Sequence, residues 1–170
     1  MTIWFTADQH FSHRSIISYT GRPFSGIDEM NETIIKRYNK VVKDGDTVYH
    51  LGDLSMYYDE TDWLKLARYI QQLKGRKILI QGNHDRFNPF AYVEMGFESV
   101  HTSLVETFEG KPYVMVHDPS VACDVRGIFK FICGHVHGLF KKQKDCLNVG
   151  VDVWDFYPVK LEDVIKELNE

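Results

Sequence analysis

Apolar, strand-like runs that end in acidic or glycine-containing turns constrain the fold of this chain most strongly. Such runs cover Ile3 to Ala7, Asp46 to Leu51 and Lys77 to Ile80. Between them, apolar residues recur at helical spacing from Ile27 to Val42 and again from Trp63 to Leu73. This β-α-β-α-β order predicts parallel strands joined by right-handed crossovers, with a ligand crevice beyond the carboxyl ends of the strands.

The second half of the sequence consists mainly of short strand-like segments. These segments are Ser99 to Phe108, Pro112 to His117, Ile128 to Cys133 and Leu147 to Gly150. An amphipathic helix from Lys160 to Leu168 follows them. Together the two halves predict an α/β fold of two packed mixed β-sheets flanked by helices. Because the 170 residues contain neither a repeat nor a Pro/Gly/Ser-rich linker, we expect one domain spanning residues 1–170.

Charge and cysteine usage exclude several classes of protein. Twenty basic and 24 acidic residues give a net charge of −4, which argues against a nucleic-acid partner or an acidic membrane surface. No apolar run reaches the ~18 residues of a membrane span, and no signal peptide is evident. Cys123, Cys133 and Cys146 are odd in number and lack CxxC spacing, which predicts reduced thiols and a cytoplasmic location.

Histidine and carboxylate side chains are concentrated where the predicted strands end. The clusters are Asp8-Gln9-His10, Gly52-Asp53-Leu54, Gly82-Asn83-His84-Asp85 and Gly134-His135-Val136-His137, with His117 between the last two. Imidazole nitrogen and carboxylate oxygen suit Mn, Fe, Co, Ni or Zn. Seven ligands would fill two partly open coordination shells if one carboxylate bridged the ions. The candidates are Asp8, His10, Asp53, Asn83, His117, His135 and His137. Gly52, Gly82 and Gly134 each precede a ligand, where we expect a tight turn or a close backbone approach.

The ordered set DxH, GD, GNHD, a lone histidine after a strand, and GHxH resembles the calcineurin-like metallophosphoesterase superfamily over residues 8 to 137. The stretches HFSHRSIISYTGRPF, VYHLGDLS and NVGVDVW are further similar to a group of small single-domain phosphoesterases of prokaryotes and their viruses. The resemblance implies a four-layer α/β/β/α sandwich, and it implies that the chain hydrolyses phosphoesters with two divalent transition-metal ions. Manganese is the ion that we favour.

Residue roles also follow from the resemblance. It implies that one ion is held by Asp8, His10 and His137 and the other by Asn83, His117 and His135, with Asp53 as the bridge. His84 would bind the phosphate and protonate the leaving oxygen, a step that typically contributes about 10²–10⁴-fold. Two cations about 3.5–4 Å apart can lower the pKa of a shared water and stabilise the charge on the phosphoryl oxygens.

The sequence departs from the protein phosphatase branch of that superfamily. It has Gly52-Asp53-Leu54-Ser55-Met56 in place of GDxVDRG, so the phosphate-binding arginine of that motif is missing. Arg14 and Arg86 are the candidate replacements, although each could equally be a surface ion-pair partner. We therefore expect small, nucleotide-like phosphodiesters as substrates. Phosphomonoesters are the alternative, and a nuclease or a non-catalytic scaffold are further candidates.

Several other side chains have two interpretations. His13 could line the pocket or cap the short helix that follows it, and Asp85 could close a turn or orient His84. Asn148 could orient a ligand or serve a turn. His50 is expected to be a hydrogen-bonded strand residue near the site. Three aromatic residues either line a pocket or belong to the core and its rim: Tyr57, Tyr58 and Trp154.

Overall fold

The computed structural model describes residues 1–56, 61–121 and 129–170, and within these ranges the strands form two five-stranded sheets. The first sheet has the order β10-β1-β2-β3-β4, in which β1 to β4 are parallel and β10 is antiparallel to β1. Its strands are β1 (Ile3–Thr6), β2 (Thr47–His50), β3 (Arg76–Ile80), β4 (Phe97–His101) and β10 (Val159–Lys160).

The second sheet has the order β5-β6-β7-β9-β8. Its strands are β5 (Ser103–Phe108), β6 (Lys111–Val116), β7 (Lys130–Cys133), β8 (Lys142–Gln143) and β9 (Cys146–Asn148). The β6-β7-β9 core of this sheet is parallel, and β5 and β8 are antiparallel edge strands. Both sheets are therefore mixed.

Helices join the strands of the first sheet and cover one of its faces. They are α1 (Ile16–Thr20), α2 (Ile27–Val41), α3 (Asp62–Ile70) and α4 (Pro89–Met95), and α5 (Leu161–Asn169) follows β10. One buried cluster packs helices α2, α3 and α4 against this face, and it includes Ile34, Ile70 and Leu79. A second cluster fills the space between the two sheets, where Phe5 and Tyr49 meet Met115. Val164 of α5 belongs to this second cluster.

The alternating strand pattern explains the layers. In β6, Tyr113 and Met115 face the first sheet, whereas Val114 and Val116 belong to a third cluster on the other face. Burying apolar side chains on both faces of a sheet contributes roughly 1.5–3 kcal/mol per fully buried residue. The predicted architecture of two packed mixed sheets flanked by helices is confirmed.

Two features differ from the sequence-based expectation. The predicted strand from Ser99 to Phe108 is divided at Thr102, with β4 in the first sheet and β5 in the second. The chain bends at Thr102, and no glycine or proline marks this crossing in the sequence. Helix α4 is a new element, and it begins at Asn88, whose side chain accepts a hydrogen bond from the Ala91 amide at 3.0 Å. Ile128, the predicted start of β7, lies outside the described residues, as does Cys123.

The expectation of one domain over residues 1–170 stays a prediction. A search of the described helices found none that is both long and apolar enough to span a bilayer.

Candidate metal centre

The carboxyl ends of five parallel strands bring the predicted ligands to one end of the sandwich. Asp8 follows β1, Asp53 follows β2 and Asn83 follows β3. In the second sheet, His117 directly follows β6, and the His135 loop follows β7. Because the carboxyl ends of neighbouring parallel strands lie at the same edge, five separate segments converge there.

The backbone at this edge is unusual. The residues Asp8, His10, Asp53, His135 and His137 all have φ between 45° and 71°. Such left-handed conformations are uncommon for residues other than glycine, and they cost on the order of 1–3 kcal/mol each. They cluster at functional sites, where the surrounding structure imposes them.

Two glycines allow the close approach that the sequence predicts. Gly52 has φ of 87°, and a side chain on Gly134 would place its Cβ 2.6 Å from Ala7 Cβ and 2.9 Å from Asp8 Oδ2. The two sheets therefore approach closely where the site forms, and only glycine fits at Gly134.

We call Asp8, His10 and His137 the first trio. Each offers a ligand atom, and these atoms lie within 4.8 Å of one another. His10 Nε2 is buried and has no hydrogen-bond partner among the described residues. A buried unpaired imidazole nitrogen is costly unless something else binds it. The donor set and this nitrogen both fit a divalent cation.

We call Asp53, His117 and His135 the second trio, whose ligand atoms also lie within 4.8 Å of one another. Asn83 belongs with this group, since its Oδ1 is 3.1 Å from His117 Nε2 and 3.0 Å from His135 Nδ1. These atoms could hold a second cation. All seven ligands predicted from the sequence therefore come together.

Asp53 lies between the trios. Its Oδ2 is 3.6 Å from His10 Nε2 and 3.3 Å from His117 Nε2, and its side chain is only 2 % exposed. A carboxylate at this position can contact a cation in either trio.

His84 lies next to Asp53 at the edge of both trios. Its backbone amide donates to Asp53 Oδ1 at 2.9 Å, and its Nε2 is 4.0 Å from Asp53 Oδ2. The ring lies 5.4 Å from the His10 ring, and the side chain is 26 % exposed. His84 can therefore reach both the centre of the site and a ligand that arrives from solvent.

In the second trio, Asp53 and His117 shift the pKa of each other. Burial alone would raise the pKa of Asp53, but the hydrogen bond and charge of His117 outweigh it and hold that pKa at about 2. Burial alone would lower the pKa of His117, but Asp53 outweighs it and raises that pKa to about 9. Both shifts favour an ionised Asp53 beside a protonated His117 in the metal-free protein, and a cation bound to His117 would displace that proton.

Burial dominates most of the other groups. It raises the pKa of Asp8 to about 7 and lowers the pKa of His10 well below its usual range. Burial also lowers the pKa of His135. Neutral imidazole is the form that binds a metal ion, so the environments of His10 and His135 favour ligation, whereas the Asp8 carboxyl must lose its proton to bind.

His13 faces the first trio rather than capping α1. It is buried, and its Nδ1 lies 3.2 Å from His10 Nδ1, while its ring is 6.4 Å from the His84 ring. Because His10 Nε2 faces Asp53, the proton of a metal-binding His10 would lie on Nδ1 and be donated to His13. The N-cap of α1 is Ser15.

Two residues of the site were missed by the sequence analysis. Arg22 is buried and pairs with Asp152 at 2.8 Å, and it donates to the backbone oxygens of Asp8 at 2.7 Å and Gln9 at 3.0 Å. Asp152 in turn lies 2.9 Å from His137 Nδ1. A carboxylate that binds the free nitrogen of a ligating histidine fixes its orientation. The signal lay in the GRPF and VDVW stretches, which carry the resemblance.

Arg14 and Arg86 are exposed, and neither makes an ion pair with a described residue. Arg14 lines a separate surface cavity together with Ser25 and Gly26. Neither guanidinium is brought into contact with the two trios by the described contacts. Their assignment to substrate binding stays a prediction.

Asp85 closes a turn, as expected. Its Oδ2 accepts from the amides of Gly82 and Asp53, both at 2.8 Å, and its Oδ1 accepts from Leu54 at 3.0 Å. This carboxylate therefore joins the β2 and β3 loops, and burial raises its pKa to about 6.

Asn148 supports the loop of the first trio and also serves a turn. It donates to His137 O at 2.7 Å and accepts from the Gly150 amide at 2.7 Å. Trp154 donates to Asn148 O at 2.8 Å and packs at the rim of the core between the sheets. Tyr57 and Tyr58 lie outside the described residues.

His50 is a buried strand residue, as predicted. Its two ring nitrogens face Gln9 Nε2 at 3.4 Å and Tyr38 OH at 3.3 Å. Burial lowers the pKa of His50 to about 3, which keeps it neutral.

Comparison with known proteins identifies the class. The sequence profile of the calcineurin-like phosphoesterase family matches residues 1–157. The uncharacterized protein MJ1445 of Methanocaldococcus jannaschii is 32 % identical over 99 % of this chain and 92 % of its own length. The gene 66 protein of Mycobacterium phage L5 is 35 % identical over 51 % of this chain and 41 % of its own length.

Solved structures share the fold. A protein of unknown function, AQ665 from Aquifex aeolicus, has a TM-score of 0.76 at 24 % identity and 98 % coverage of both chains. An archaeal phosphodiesterase has a TM-score of 0.53 at 19 % identity, covering 88 % of this chain and 82 % of its own. The chain belongs to the calcineurin-like phosphoesterase family. That family hydrolyses phosphoesters with divalent metal ions, for which the two trios are suitable ligand clusters.

Proposed function

We propose that this protein is a binuclear metal-dependent phosphoesterase that hydrolyses small, nucleotide-like phosphodiesters. The observation that supports this most is the arrangement around Asp53. Six other ligand-type side chains, from four other loops, converge on this buried carboxylate, and a partly exposed histidine lies beside it. A protein that only binds other macromolecules would not need this convergence.

Two divalent ions, with manganese favoured, would supply an activated water and neutralise developing charge on the phosphoryl group. The first ion would be held by the first trio, the second by Asn83, His117 and His135, and Asp53 would contact both. His84 would donate a proton to the departing oxygen, since its ring is close to Asp53 and open to solvent. His13 and Asp152 would orient the ligands His10 and His137.

Diesters are favoured because no described contact places an arginine on the substrate side of the trios. Arg22, the guanidinium next to Asp8, is occupied by Asp152 and two backbone oxygens. A monoester carries up to two negative charges and a diester one, so a site without a guanidinium stabilises a monoester less well. The archaeal phosphodiesterase of the same fold makes diesters a reasonable first class to test.

We also propose a cytoplasmic location. Cys133 and Cys146 are thiols whose sulfur atoms lie 3.2 Å apart in the core, which suits a reducing compartment. Alkylation of denatured protein directly from lysed cells should modify both thiols, and a Cys133–Cys146 disulfide would contradict this location.

The function can be tested with metal-stripped protein refilled with Mn, Fe, Co, Ni or Zn, one metal at a time. The substrates are p-nitrophenyl phosphate and p-nitrophenyl methyl phosphate, which share a leaving group. We expect kcat/KM to be higher for the diester. A tenfold preference for the monoester, about 1.4 kcal/mol, would identify a phosphomonoesterase instead. Failure to hydrolyse either ester with any of these metals would contradict the proposed function.

A further inference from the structure

A cavity adjoins the second trio. It has a volume of about 490 Å³, within the roughly 300–1,000 Å³ typical of small-molecule sites. Asn83, His117 and His135 are among the residues that line it. Neither the first trio nor His84 is among the described residues that line it.

The position of this cavity differs from that of His84. The His84 ring packs beside His10 of the first trio, whereas the side chain of its neighbour Asn83 points to His117 and His135. A phosphoryl group that spans both trios would thus have His84 near one end and the cavity near the other. A diester carries two organic groups, one that leaves with its oxygen and one that is retained on the phosphate. Each group needs its own binding position.

We propose that this cavity binds the substituent of a phosphodiester that is not released. This inference rests on the proposed function, and it states where the second organic group of the substrate binds. The leaving oxygen lies towards His84, and the retained organic group lies beyond His117 and His135.

The lining indicates the chemistry of the retained group. Val116 and Val121 offer apolar surface, and Thr102 and Ser103 offer hydroxyl groups. The Asp118 carboxylate also lines the cavity and accepts a hydrogen bond from the Ser120 amide at 2.8 Å. A carboxylate repels a further phosphate and attracts hydroxyl donors. The cavity therefore suits an uncharged, hydroxylated group such as a nucleoside, and it disfavours one that carries an additional phosphate.

The first experiment narrows the cavity with Ser103→Trp. Its matched control is Thr107→Trp, which lies four residues along the same exposed face of β5, about 13 Å away at the usual strand rise. Substrates are p-nitrophenyl methyl phosphate and the p-nitrophenyl ester of thymidine 5′-phosphate, which release the same group. We expect Ser103→Trp to lower kcat/KM at least tenfold for the thymidine ester and less than twofold for the methyl ester. Equal changes for both esters would overturn the proposal.

A second measurement needs neither a variant nor turnover. Thymidine 5′-(methyl phosphate), added to the metal-free protein, should shift the backbone amide resonances of Thr102, Ser103 and Asp118. Shifts confined to other parts of the protein would overturn the assignment. If the resonances shift as expected but no ester is hydrolysed with any metal, the cavity assignment is retained and the proposed hydrolysis fails.

The role of Asp118 is tested by selectivity. Asp118→Asn should raise the relative kcat/KM of the 3′-phosphorylated thymidine ester over the unphosphorylated one by at least threefold. Because the ratio compares two substrates on one enzyme, an effect of the variant on metal content cancels. An unchanged ratio would show that Asp118 does not select against charge.

Discussion

The two trios are held in different ways. In the first, Asp8 and His10 are buried, and polar side chains that are largely shielded from solvent support them. Arg22 and Asp152 form that support together with His13. In the second, His117 is fixed mainly by a backbone oxygen, that of Leu51 at 2.7 Å, and Asn83 is exposed.

This difference indicates that the two trios have different roles. A buried, supported ligand set is preorganised and loses little entropy when it binds an ion. An open ligand set beside a cavity can adjust to a substrate. Asp53, a member of the second trio, also faces His10 of the first. Substitution of Asp53 therefore tests what the trios share, and substitutions elsewhere test what is particular to each.

The largest effect is expected from Asp53→Asn, because it removes the negative charge between two cations. We expect both ions to bind more than about 100-fold more weakly, since changes to outer partners alone typically cost 10–100-fold. Elemental analysis after dialysis against a weak chelator measures this. Asp155→Asn is the control, because Asp155 has a 75 % exposed side chain and belongs to neither trio. Retention of two ions and full turnover by Asp53→Asn would exclude the bridge.

His84→Ala should separate chemistry from metal binding. We expect normal metal content and a loss in kcat of about 10²–10⁴ for substrates with poor leaving groups. Activated p-nitrophenyl esters should lose less, because their leaving group needs no proton. His101→Ala is the control. An equal loss across leaving groups would contradict the assignment of His84 as the acid.

Asp152→Asn should weaken one ion only. Loss of the Asp152 carboxylate from His137 should reduce affinity at the first trio by about 10–100-fold and leave the second within threefold. Stepwise calorimetric titration with Mn²⁺ resolves the two sites. The same change removes the only charged partner that the described residues give Arg22, and breaking a buried ion pair can cost up to about 3–5 kcal/mol, so titrations should be made at low temperature.

A double variant provides the check. Arg22→Met with Asp152→Leu should recover stability by replacing the ion pair with apolar side chains, but it should not recover affinity at the first trio. If Asp152→Asn weakens Mn²⁺ binding equally in both steps of the titration, the two trios do not have independent supports.

His13→Phe should have a smaller effect of the same kind. Phenylalanine keeps the ring packing but cannot accept a hydrogen bond from His10 Nδ1. We therefore expect the ion of the first trio to bind about tenfold more weakly. His101→Phe is the control. Unchanged metal affinity would show that His13 contributes packing alone.

The last expected effect concerns stability and not metal affinity: the free energy of unfolding should depend on pH. In the metal-free protein His117 has a pKa of about 9, above its unfolded value of about 6.5. Its contribution is therefore complete below about pH 6.5 and is lost as the pH rises through 9, by at most about 1.4 kcal/mol per pH unit. With metal bound, His117 is neutral and this loss should disappear. Urea titrations of the metal-free and metal-bound protein at pH 7 and 9 measure the free energy of unfolding. The same change between pH 7 and 9 in both forms would contradict the prediction.

The sequence identified the side chains that converge at this edge better than the side chains that support them. Histidine, carboxylate and glycine at the ends of predicted strands were recognisable because strand ends converge, and all seven candidates meet. Arg22 and Asp152 were missed because they are 130 residues apart and contact each other only in the folded chain. Arg14 and Arg86 were chosen for their proximity in sequence, yet both side chains are exposed.

The fold shows the same limits. Hydrophobic periodicity located the strands and crossover helices, but it could not show where the chain leaves one sheet for the other. The break at Thr102 depends on which strand each half pairs with, since β4 pairs with β3 and β5 pairs with β6. Pairing partners are set by tertiary packing and not by local sequence.

The most direct test of the binuclear centre is anomalous X-ray scattering from crystals grown with Mn²⁺. We predict two peaks per chain above the manganese edge, one among Asp8, His10 and His137 and one among Asn83, His117 and His135, with Asp53 in contact with both. A single peak, or two peaks of which one is remote from Asp53, would contradict the account.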